Sequence, residues 1–192
     1  MDNRYIHDSY TVRRKVLKLF GGAFHIYDPD GNVVLFASMK AFKLKEDIRL
    51  FSGEDMAEEL IVIKARNVID FSATYDIFDS KTNERVGALK RKGLKSILKD
   101  EWIVIDEHEN EIGIISEDNA VLAMVRRFIF NLIPQKYDCR VNGKDVCTFS
   151  QNMNPFVMKV TVDFTPDRDK EFDKRVGIAA ALLLCAIEGR QS

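Results

Sequence analysis

The sequence predicts a mainly β protein, a closed antiparallel barrel wrapped around a hydrophobic C-terminal helix, and three observations carry that expectation. Turn residues recur between short alternating apolar segments, at Asp28-Pro29-Asp30-Gly31-Asn32, at 80–84, at 106–110 and at Asn142-Gly143. Such clusters join antiparallel strands, because proline pre-sets one dihedral and glycine or asparagine supplies the positive one. The longest apolar run, VGIAAALLLCAI at 176–187, has no polar face. A helix apolar on all sides must be surrounded on all sides, and in a strand-rich chain of 192 residues the enclosure available is the lumen of a closed sheet.

The elements follow in order. After an N-terminal segment (1–20), FHIY at 24–27 and VVLF at 33–36 form the first hairpin. Strands are expected at 48–51 and 59–65, then hairpins at 75–79 with 86–89, 102–106 with 112–115, and 137–141 with 146–149, and a last strand at 156–162. Their irregular spacing indicates a meander rather than a solenoid. Residues 119–133 carry an amphipathic pattern, with Arg126 and Arg127 on the polar side and Pro134 as a stop. That predicts a helix covering one edge or mouth of the sheet. The central helix is expected over 168–188, with Thr165 as N-cap and Pro166 at the first helical position. Its apolar run spans 12 residues, where a bilayer span needs about 20, so no transmembrane span is expected. Burying Val176, Ile178, Leu182, Leu183, Leu184 and Ile187 contributes on the order of 10 kcal/mol before entropy is subtracted. Residues 1–192 read as a single domain.

Twenty-nine Lys plus Arg against 30 Asp plus Glu leave a formal net charge of -1. No global field favours nucleic acid, and contact with a membrane would need a local patch. Three cysteines are too few for a disulfide framework, and MDNRYIHDSY has no apolar run to act as a signal, which points to a reducing, cytoplasmic compartment. The hairpin turn at Asn142-Gly143 places Cys139 opposite Val146 and Cys147 on the other face of the sheet. Cys185 falls in the apolar helix as a small hydrophobe, so all three read as inert. Trp102 reads as core.

Enzyme signatures are missing: no G-x-S-x-G, no H-E-x-x-H and no paired C-x-x-C occur, and His7, His25 and His108 stand alone. GALKRKGLKS at 87–96 has the outline of a phosphate loop, but five residues separate its glycines where four are required. No catalytic residue and no cofactor is assigned.

Two charged segments are the candidate sites. Residues 81–100 carry seven Lys or Arg against two acids, and 101–118 carry seven acids with no Lys or Arg. Lys90, Arg91, Lys92 and Lys95 are therefore candidates for an anionic headgroup or phosphate patch, the alternative being neighbouring strands that neutralise one another across the sheet. Alternation sends Lys90 and Arg91 to opposite faces. The second candidate is Asp163, Asp167, Asp169, Glu171 and Asp173, five carboxylates offering the oxygen ligands of calcium. Against it, Phe172 stands where a calcium loop starting at Asp167 needs glycine, and acids near a helix start are favoured by its dipole in any case.

The segment YDIFDSKTNERVGALKRKGLKSILKDEW at 75–102, the Asn154-Pro155-Phe156 stretch and the terminal apolar helix together resemble the LURP-one-related proteins, a family similar to the phospholipid scramblases and to the tubby C-terminal domain. The resemblance covers about 24–188, with RVGALKRKGLKS its most specific part. It implies a barrel of about twelve strands around a central C-terminal helix. In that superfamily the tubby branch binds phosphoinositides, and the scramblase branch is associated with calcium and lipid movement. The implied function is a non-enzymatic binding or tethering module, cytoplasmic or peripheral at a membrane, that engages anionic phospholipid headgroups or a protein partner. The alternative is a scramblase-like, lipid-moving or calcium-responsive protein. The proline-rich extension and cysteine cluster of scramblases have no counterpart in these residues, and no phosphoinositide contacts of tubby proteins match position by position.

Overall fold

The structure, a computed structural model, describes residues 3–15, 22–39, 47–69, 72–92, 101–117, 135–152, 154 and 157–188. Among the described residues, twelve strands run in chain order: β1 (Ser9–Arg14), β2 (Gly22–Tyr27), β3 (Val33–Met39), β4 (Ile48–Phe51), β5 (Glu59–Ile69), β6 (Ser72–Asp79), β7 (Arg85–Arg91), β8 (Glu101–Ile105), β9 (Glu111–Glu117), β10 (Lys136–Val141), β11 (Lys144–Gln151) and β12 (Lys159–Asp163). The helix α1 (Lys174–Glu188) follows. Each strand pairs antiparallel with its neighbours in sequence, and β1 closes the barrel on β12, from Ser9 opposite Asp163 to Arg13 opposite Lys159. Closure removes every sheet edge. The amphipathic segment at 119–133 lies outside the described residues.

The turns form where the sequence places them, and two share one geometry. Asn32 donates from its backbone N to Asp28 Oδ1 at 2.8 Å and from Nδ2 to Oδ2 at 3.0 Å. Asn110 repeats both bonds to Asp106, at 2.8 and 2.9 Å. In each, the residue before the asparagine has positive φ, Gly31 at 84° and Glu109 at 70°. The short side chains of Asp and Asn satisfy backbone groups that the ladder leaves open.

From Val176 to Ala186 every residue of α1 is buried, the hydrophobic ones at most 5% exposed. Around it stand the inward residues of the strands, among them Phe24, Ile26, Leu50, Ile63, Leu89 and Phe149. Trp102 belongs to this core at 3% exposed. The helix thus fills the lumen.

Three expectations need correction. The helix begins at Lys174 rather than 168, and Asp173, not Thr165, caps it: Arg175 N donates to Asp173 Oδ1 at 2.8 Å. The preceding residues turn around Asp167, whose carboxylate accepts from Glu171 N at 3.3 Å and Phe172 N at 3.0 Å. The last strand begins at Lys159 rather than 156. The cysteines of the last hairpin are directly opposed, Cys139 to Cys147, because a bulge follows Cys139 and adds one residue on β11. Both therefore face the interior, where both are fully buried.

Candidate functional site

The turns after β2, β4, β6, β8 and β10, the start of α1 and residues 3–8 lie at one end of the barrel. Lys174, the first residue of α1, is buried there and donates from Nζ to the carbonyl oxygens of His7 at 2.7 Å and Ile6 at 3.2 Å. Asp8 Oδ1 lies 3.4 Å away. Two cationic residues opening a helix oppose its dipole. Asp173 offsets this by pairing with Arg175, which also donates to Asp79 Oδ2 at 2.8 Å.

The basic candidates separate. Lys90 Nζ stands 3.2 Å from Glu111 Oε1, and Lys92 Nζ stands 3.1 Å from Glu101 Oε2. Arg91 lies on the other side of β7, its guanidinium carbon 6.0 Å from the Trp102 ring centroid. The charge alternation between 81–100 and 101–118 is therefore realised as cross-strand pairing, at least for Lys90 and Lys92. Lys95 lies outside the described residues.

The acidic candidates separate as well. Asp163 accepts from Thr165 N at 2.9 Å and from its hydroxyl at 2.5 Å. Asp167 organises the turn and Asp173 caps the helix. Asp169 and Glu171 both receive Lys144 Nζ, at 2.7 and 3.3 Å, and the Lys144 ammonium holds the Asp169 carboxyl below the usual carboxylate range. Among the described residues, no three His, Cys, Asp or Glu side chains stand where they could share a metal ion.

A denser network lies on the outer face of β5 to β7. Asp76 accepts from Arg66 Nη2 at 2.5 Å and Nε at 2.9 Å, and from Arg85 Nε at 3.0 Å. Glu109 holds Arg66 Nη2 at 2.7 Å. Burial pushes the Asp76 carboxyl up, but the hydrogen bonds and charges of Arg66 and Arg85 outweigh it and leave it below its ordinary value.

The three histidines stay apart. His25 Nε2 meets the Glu54 carboxylate, His7 packs edge-on against Tyr10, and His108 is exposed beside Glu107.

A shallow groove of about 710 Å³ crosses the outside of β10, β11, β12 and the start of β1. Register builds it: Asp138 opposes Thr148, Thr148 opposes Asp163, and Asp163 opposes Ser9. One step along the strands, Lys136, Ser150 and Thr161 form a parallel row. The floor is hydroxyl-rich, and its charged residues are Asp8, Asp138 and Asp163 against Lys136. Sequence reading missed it. The only signal was the alternation of Ser, Thr and Asp at outward positions, which says nothing until the strands are placed side by side.

No helix among the described residues is long and apolar enough to cross a membrane. No family model, no curated protein and no solved structure matches the chain.

Proposed function

We propose that this chain is a non-enzymatic binding or tethering module of the LURP-one-related type, acting in the cytoplasm through the outer surface of its barrel. One observation carries the reading: α1 occupies the lumen, so the space in which other barrels hold a ligand is filled with the protein's own side chains. Binding then falls to the outside, where the groove over β10 to β12 is a concave surface with convergent polar groups. Three carboxylates against one ammonium suit a protein partner that presents a basic segment. They disfavour an anionic headgroup, and Lys90 and Lys92 already face carboxylates.

The test sets a fluorescent Lys/Arg-rich peptide against anionic vesicles. Salt-sensitive binding of the peptide, weakened in Asp138→Asn/Asp163→Asn, with no pelleting on vesicles, supports the protein partner. Pelleting of the wild type on anionic vesicles, lost in Lys92→Glu/Lys95→Glu, would overturn it in favour of headgroup binding.

A further inference from the structure

Cys139 and Cys147 are opposed across β10 and β11, and both are fully buried and free of any disulfide. Opposed residues of an antiparallel pair have α-carbons about 4.5–5.5 Å apart. That lies inside the window of roughly 4.4–6.8 Å over which a disulfide closes without moving the backbone. Their side chains leave the sheet on the same side, into the interior. The third thiol differs. Cys185 lies on α1 and donates to the carbonyl oxygen of Met158 at 3.8 Å.

We propose that Cys139 and Cys147 form a site of reversible oxidation, at which a hydroperoxide converts the two thiols into a disulfide tying β10 to β11. One sulfur attacks the peroxide and the O–O bond breaks. The sulfur keeps one oxygen as a sulfenic acid, and the other oxygen takes up the thiol proton and leaves as water from hydrogen peroxide or as an alcohol from an organic hydroperoxide. The second thiol then attacks the sulfenic sulfur: the S–S bond forms, the S–O bond breaks, and the departing hydroxyl takes the second thiol proton and leaves as water. Two electrons pass from the pair of sulfurs to the peroxide, and a dithiol reductant reverses the change.

Burial sets the rate rather than the outcome. It pushes the Cys147 thiol well above its ordinary range, so little thiolate exists in the closed barrel. The oxidant reaches the pair when the β10–β11 hairpin opens, and the reaction follows the open fraction. The tie has a place in the surface described above. Asp138 and Thr148 are the sequence neighbours of the two cysteines and oppose one another on the groove side. The disulfide therefore forms directly beneath the groove. The register and burial of the two cysteines hold whatever the groove binds.

The full chain is treated with hydrogen peroxide, with and without sub-denaturing urea, and remaining thiols are blocked with N-ethylmaleimide in denaturant. Of the three thiols, Cys185 alone should carry the adduct, and peptide mapping should find Cys139 joined to Cys147 in a monomer. Formation should accelerate several-fold in urea, reverse with dithiothreitol, and raise the melting temperature by several degrees. Three blocked thiols after oxidation, sulfinic acids without the cross-link, a bond to Cys185 or a disulfide between two chains would each overturn the proposal. The wild type carries the test, so it does not depend on the folding of a variant. Cys147→Ser should abolish the cross-link, and a disulfide persisting at Cys139 in that variant also contradicts the pairing.

Discussion

Gly177 packs against the ring of Phe164 so closely that a β-carbon at this position would lie 2.5 Å from Phe164 Cζ. Phe164 is buried at 3% exposure and lies edge-on to Tyr10 and tilted against Phe172, at centroid distances of 6.2 and 6.4 Å. The ring has nowhere to retreat. Alanine would gain about 1 kcal/mol of helix propensity, but overpacking of this kind costs about 1–3 kcal/mol, so the steric effect should win. Gly177→Ala is expected to lower unfolding stability by up to about 2 kcal/mol in urea denaturation, and Phe164→Leu added to it should recover part of the loss. A stabilised single variant would show that α1 sits further from Phe164 than described.

Asp76 should govern part of the acid sensitivity. Its carboxyl is held below its ordinary value in the folded chain, as are those of Asp28, through Asn32, and Asp106, through Asn110. A depressed folded-state value means that the unfolded chain takes up protons first. The contribution is complete above the unfolded value near pH 4 and disappears as pH falls through the folded one. Asp76→Asn should cost about 2 kcal/mol at neutral pH by weakening its charged hydrogen bonds, and the gap to wild type should close below about pH 4. A gap that stays constant down to pH 2 would contradict this assignment.

Calcium should leave the melting temperature unchanged. Asp169 and Glu171 already receive Lys144, Asp167 accepts two backbone amides, and Asp173 caps α1. These carboxylates are separated by their tasks, whereas a calcium site needs six to eight oxygens converging on one point. A saturable rise at sub-millimolar calcium, lost in Asp167→Asn/Asp169→Asn, would overturn the point.

Turn chemistry made most of the barrel legible. Asp28 to Asn32 and Asp106 to Asn110 announce hairpins because Asp and Asn side chains close such turns locally, without reference to the rest of the fold. The apolar run of α1 announced its own burial in the same way. What escaped depends on partners distant in sequence. Ser9–Arg14 has only Tyr10 and Val12 as inward residues, too short an alternation to stand out, yet it closes the barrel. The bulge after Cys139 reverses the face expected for Cys147, and nothing in DCRVNGKDVC marks it. The helix start was displaced by Thr165-Pro166, an N-cap signature in a segment that instead turns around Asp167. Among the site candidates, the pairing of Lys90 and Lys92 with acids was visible as alternating charge blocks, while the groove was not, because it exists only in the register of four strands.

The central claim is that α1 is the core of this protein and fills the lumen, so that binding belongs to the outer face. Native-state hydrogen exchange over 178–186 tests this most directly. The helix amides should be among the slowest in the chain, exchanging only with global unfolding and at the same free energy as the amides of β5 and β6. If they exchange in minutes while the strands stay protected, the barrel stands without its helix, the lumen can open, and a surface-binding account is contradicted.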